Sequence, residues 1–227
     1  MAAREGKAYP LHHAPFGSHV LRSVTVNSLA ASSFHLPLKA ERAWVMGIVP
    51  GEIITRKLSR PVKKDPTGMV FSDPEEDILK IAVIERHKAS GNIGLGLVQG
   101  FGLKAGALAG SVAHDSHNVI VVGVNDQEMR HAAEEIIRMQ GGLVAVQGGN
   151  VKASLPLPVA GLMSLDPAEV VVSQMEKIKE AARALGCPLA SPFLTLSFLA
   201  LPVIPELKLT DKGLVDVSQF RIIPLDA

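Results

Sequence analysis

Apolar residues between Ile78 and Val124 come in unbroken runs rather than in alternation with polar ones, and each run ends at a glycine or a polar cluster. Runs of this kind predict strands covered on both faces, here at 78–86, 93–101, 105–113 and 119–124. Four short strands in succession, with no helical pattern between them, predict antiparallel meanders rather than βα units. Upstream, SVTVNSL (23–29), AWVMGIV (43–49) and EIITRKL (52–58) are short segments rich in β-branched residues and bordered by Pro or Gly, and they predict a small β layer. Residues 1–22, with Pro10, Pro15, His12 and His13 and no periodicity, read as an extended arm. Residues 61–74 are turn-rich, with room for one short strand at 69–71.

The period changes after Val124. Met129, Ala133, Ile136, Ile137 and Gln140 fall on one side of a helix that Asp126 would cap and Gly141-Gly142 would stop. Leu143–Gln147 and Val151–Leu155 flank Gly148-Gly149-Asn150, a hairpin signal, because these residues tolerate positive φ. A second helix is expected from Asp166-Pro167 to about Leu185, with Asp166 as N-cap and Gly186 and Pro188 ending it. Leu194–Ile204 reads as a buried core segment, and Asp211-Lys212-Gly213 as a turn before a last short strand. The expected class is α+β: a mostly antiparallel sheet with helices packed on one face, preceded by the small β layer. The expected divisions are an arm (1–22), a small β segment (23–60) and an α+β domain (61–227).

Composition narrows the function classes. Lys and Arg number 23 against 22 Asp and Glu, which gives no concentrated positive charge for a nucleic-acid backbone. One cysteine, Cys187, excludes an internal disulfide and a multi-cysteine zinc site, and it is expected to be a small packed residue in a reducing compartment. Without a run of 18 apolar residues or a leader pattern, neither membrane insertion nor export is expected, and the cytoplasm follows by default.

The polar clusters carry the candidate chemistry. Glu85-Arg86-His87 closes one predicted strand, and His114-Asp115-Ser116-His117-Asn118 precedes another. Ionisable groups at such positions must be paired, solvated or used. A turn at Asp115-Ser116 would let His114 and His117 face a common ligand, with Asp115 orienting one ring, and two imidazoles plus a carboxylate can enter a divalent metal site. The plainer alternative is that Asp, Ser and Asn satisfy turn backbone, that the histidines are structural, and that Glu85 and Arg86 form an ion pair closing the strand. The glycines between 91 and 110 lack the strand-loop-helix setting and the GKS/T ending of a phosphate loop, so close backbone packing in a bent sheet is the better account.

The strings VIERH (83–87), GFGLKAGALA (100–109), SVAHDSHN (111–118), LPLPVAGLMS (155–164) and PFLTLSFLALPVIPELKLTDKGLVDV (192–217) resemble, in the same order, the carboxy-terminal region of adenine deaminases of the amidohydrolase superfamily. The resemblance implies metal-assisted hydrolysis of adenine to hypoxanthine and ammonia, with manganese, iron or zinc held by an amino-terminal (β/α) barrel. It implies a domain flanking the barrel mouth, to which His114, His117 and Asp115 would contribute catalytic groups, and Glu85, Arg86, His87, Ser116 and Asn118 substrate contacts. His114 and His117 are the candidate metal ligands. The barrel's own HxH pair is missing, since no two of the eight histidines are separated by one residue. The leading expectation is therefore the carboxy-terminal part of an adenine deaminase, a fragment, split-gene product or truncated form that is inactive without a barrel partner and prone to self-association. The other reading is a stand-alone, non-catalytic ligand-binding or assembly module.

Overall fold

The computed structural model describes residues 3–4, 7–8 and 17–227, so the arm expected over 1–22 falls largely outside the described residues. Ala3–Arg4 (β1) pairs with Lys7–Ala8 (β2). The main body is an eight-stranded sheet built from β3 (Arg42–Ile48), β4 (Thr55–Pro61), β5 (Ile78–Ile84), β6 (Ile93–Gln99), β7 (Ala107–Gly110), β8 (Val119–Gly123), β9 (Gly142–Gln147) and β10 (Asn150–Pro156). Its spatial order is β10-β9-β7-β8-β5-β6-β3-β4. Every pairing is antiparallel except β3 with β6, so the class is the expected α+β.

Three helices cover the sheet: α1 (Asp126–Arg138), α2 (Ala168–Ala184) and α3 (Pro192–Phe198). They divide between the faces instead of sharing one. Leu79, Ile81 and Val83 of β5 point into a core with Ile178 and Ala182 of α2 and Phe193 and Leu196 of α3. Ala82 and Ile84 point the other way, against Met129, Ala132, Ala133 and Ile136 of α1. Side chains alternate across a strand, so two cores require every β5 position to be apolar or internally paired, and all seven are buried. The exception is Lys80, which reaches Asp126 at the start of α1 (Nζ to Oδ1, 2.5 Å).

A three-stranded antiparallel sheet, β11 (Leu207–Thr210), β12 (Gly213–Asp216) and β13 (Arg221–Ile222), lays Leu207, Leu209 and Leu214 on the α2/α3 face. Its hairpin crosses β6 so closely that a Cβ on Gly94 would stand 1.8 Å from the Thr210 carbonyl oxygen, the close packing predicted for the glycine-rich segment.

Some elements differ from expectation. Residues 23–29 form no strand: the Val24 N–H donates to Gln140 Oε1 and the Thr25 N–H to the Arg86 carbonyl, so the segment has side-chain and loop partners in place of a ladder. Residues 69–71 make only isolated bridges, Pro37 with Met69 and Lys64 with Val70. The segments near 43–49 and 52–58 are strands but belong to the edge of the main sheet. Asn125, not Asp126, caps α1, accepting from the Glu128 N–H at 2.9 Å. Asp166 does not cap α2, where Pro167 takes the N-cap position without a side-chain bond. The core segment after residue 191 starts as a short helix with Pro192 in its first turn, a favoured place for proline. β10 carries a register shift between Val151 and Ala153.

Candidate functional site

The antiparallel register of β5 with β8 sets Ile84 opposite Val119, so the chain leaving β5 as Glu85-Arg86-His87 meets the chain entering β8 as His117-Asn118. The two polar clusters form one corner of the domain. His87 is exposed, and its Nε2 lies 2.7 Å from the Ser116 carbonyl oxygen.

Arg86 is the knot of this corner. It is 1% exposed, and its guanidinium donates to the carbonyls of His117, Ser23 (3.1 Å) and Ala160 (3.0 Å). Gly161, at φ +71°, leaves space for it, since a Cβ there would stand 2.7 Å from Nη1. Burial lowers the Arg86 pKa from its ordinary value, and no carboxylate among the described residues pairs with it. Asn118 is also buried. Its Oδ1 accepts from the Arg86 N–H (3.4 Å) and its Nδ2 donates to Asp211 (3.3 Å) in the β11–β12 turn. Both are expected substrate contacts, and both are enclosed here and bonded to protein partners that tie the corner together.

Glu85 is also committed. It pairs not with Arg86 but with its own turn, accepting from the N–H groups of His87 (2.5 Å), Lys88 (2.9 Å) and Ser90 (2.9 Å) and from the Ser90 hydroxyl (2.9 Å). Partial burial pushes its pKa up, but the Ser90, His87 and Lys88 donors outweigh this and hold it down at about 2.

The predicted turn at Asp115-Ser116 is formed. The His117 N–H returns to the Ala113 carbonyl (2.6 Å), and His117 takes φ +51°. His114 and His117 stand edge to face, ring centroids 5.7 Å apart, and Phe198 of α3 backs His114 at 4.9 Å. Asp115 and Ser116 are exposed at the tip, and Asp115 makes no side-chain hydrogen bond to either ring, so the imidazole-orienting carboxylate is not formed among the described residues. His117 is shifted toward its neutral form, first by burial and then by His114 and Arg86, with Asp115 opposing. Its Nδ1 is buried with no hydrogen-bond partner among the described residues. His114 also borders an apolar cavity of about 340 Å3 between the sheet, α2 and α3.

As a metal site this donor set is incomplete. No group of three His, Cys, Asp or Glu side chains among the described residues could hold a metal ion. Two imidazoles with an outward-facing carboxylate do not fit a self-contained divalent centre. Ser23, Ala160, Asp211 and Phe198 hold or back the corner, yet no sequence signal marked them, because their contacts with it span from tens of residues to more than ninety. Cys187 is buried as expected, and burial pushes its thiol up to about 11. No helix among the described residues is long and apolar enough to cross a membrane.

Fold and corner together define an α+β domain that gathers imidazoles at one corner. The chain belongs to the adenine deaminase C-terminal domain family, whose model matches residues 52–221. It is similar to the adenine deaminase of Dehalococcoides mccartyi strain 195, 49% identical over 215 residues that make up 95% of this chain and 37% of that protein. That of Methanothrix thermoacetophila is 52% identical over 198 residues, 87% of this chain and 34% of the relative. That of Brucella anthropi is 48% identical over 210 residues, 92% and 37% respectively. The chain thus spans little more than a third of the length of these curated relatives.

Proposed function

We propose that this chain is the carboxy-terminal part of an adenine deaminase, which converts adenine and water to hypoxanthine and ammonia, and that it works against an amidohydrolase barrel. The observation that carries this reading is similarity to curated adenine deaminases along nearly the whole chain. In this reading water activation is left to a divalent metal, manganese, iron or zinc, held by the barrel.

This chain's own part is positional. His114 and His117 present imidazole edges, and exposed His87, Asp115 and Ser116 form the rim nearest a barrel mouth, where active sites of that fold lie. Arg86 and Asn118 hold the turn in register. The setting is a cytoplasmic, self-associating enzyme of purine metabolism.

The test is ammonia release. The purified chain with adenine and manganese, iron or zinc is expected to release none. Mixed with a separately expressed barrel of the Dehalococcoides relative, it is expected to raise ammonia release well above the barrel alone. Turnover by the chain alone, or a barrel indifferent to its addition, would overturn the reading.

A further inference from the structure

The cavity beside His114 is walled by Val112, Leu143, Leu157, Met175 and Phe193. Its size sits at the low end for small-molecule sites, roughly 300–1,000 Å3, so it holds a molecule of one or two rings. Four polar side chains line this apolar space, and of these Ser191 is exposed to solvent. One is the His114 imidazole. Among the described residues neither ring nitrogen of His114 has a protein hydrogen-bond partner, in contrast to His87, so they can bond a ligand. Another is Lys179, whose Nζ is already paired with Glu176 at 2.9 Å. The Ser197 hydroxyl is spent on the Leu194 carbonyl (2.8 Å).

These features constrain the ligand. A charged group, a phosphate above all, would lose its hydration and find no unpaired counter-charge, which disfavours nucleotides. A wholly apolar ligand would leave the His114 edge without a partner. An uncharged planar heterocycle satisfies both requirements, with apolar faces for Leu143, Leu157 and Phe193 and a ring nitrogen or exocyclic group for the imidazole.

We infer that this cavity is a binding site for an uncharged planar nitrogen heterocycle, with His114 as its hydrogen-bonding residue. The inference rests on the cavity and borrows from the proposed function only the choice of adenine as a probe.

Isothermal titration of the full chain with adenine, benzimidazole and adenosine monophosphate tests it. The two heterocycles are expected to bind at one site per chain and the nucleotide at least tenfold more weakly. His114→Leu should weaken adenine about tenfold, as loss of one hydrogen bond implies, and Val112→Phe should abolish binding by filling the space. In the unaltered chain the methyl resonance of Met175 should shift on adding benzimidazole, a readout that depends on no variant folding. Absence of heat and of the Met175 shift, or affinities unchanged in both variants, would overturn the assignment. A cavity that instead seats a side chain of another polypeptide would give that negative result. The ammonia assay requires the barrel and this titration does not, so the two readings fail separately.

Discussion

Lys208 on β11 is fully buried, and among the described residues its ammonium has one hydrogen bond, to the Ile53 carbonyl oxygen at 2.7 Å, and no carboxylate in ion-pairing range. Burial lowers its pKa from 10.5 to about 8. Between those values the unfolded chain binds a proton that the folded chain does not, so stability must rise with pH across this window. Below pH 8 both states are charged and the folded state bears the full cost of an enclosed cation. A shift of about 2.5 units corresponds to roughly 3 kcal/mol, of which roughly 2 kcal/mol should be regained by pH 9.5. Lys208→Met removes the cost but strands the Ile53 carbonyl, a loss of about 1 kcal/mol. The variant should therefore be more stable than the parent by about 1–2 kcal/mol at pH 7, and the difference should vanish or reverse by pH 9.5. Urea unfolding of both proteins at pH 7, 8.5 and 9.5 measures it. Destabilisation of Lys208→Met at pH 7, or a parent whose midpoint does not climb across the window, would refute the argument.

Two further substitutions probe the corner and the sheet. Arg86→Lys keeps the charge but cannot reach the carbonyls of His117, Ser23 and Ala160 together. Leaving acceptors unpaired in a closed site should cost about 2–4 kcal/mol in thermal or denaturant unfolding, and a loss under about 0.5 kcal/mol would contradict the role given to Arg86. Asp126→Asn leaves the Lys80 cation buried in the centre of β5 and should cost about 3–5 kcal/mol. An unchanged melting temperature would show that solvent reaches Lys80.

The inner strands β5, β7 and β8 were legible because their residues are nearly all apolar and all buried, as a strand covered on both faces requires. The first α-helix was legible for the opposite reason, a one-sided stripe now seen against the sheet at Met129, Ala132, Ala133 and Ile136. What misled was local pattern without partners. SVTVNSL alternates like a strand, but its amides bond to Gln140 and Arg86, more than a hundred and about sixty residues away. The α1 cap was misplaced by one residue because Asp126 is claimed by Lys80, a tertiary pairing invisible in a helix window. At the corner, the meeting of the two clusters follows from strand pairing and could be anticipated. The enclosure of Arg86 could not, because its partners come from residues 23, 117 and 160.

The outer strands of the main sheet also decide how copies of the molecule can meet. Along β4 the charged side chains of Arg56 and Arg60 stand at either end of Lys57-Leu58-Ser59 and Pro61 closes the strand, while β10 has its register broken after Val151 and ends on Pro156. Charges, a bulge and prolines are the means by which a sheet refuses an additional strand from outside. Extension of the main sheet through these two outer strands is therefore disfavoured, and side-chain surfaces are the better route for copies to meet.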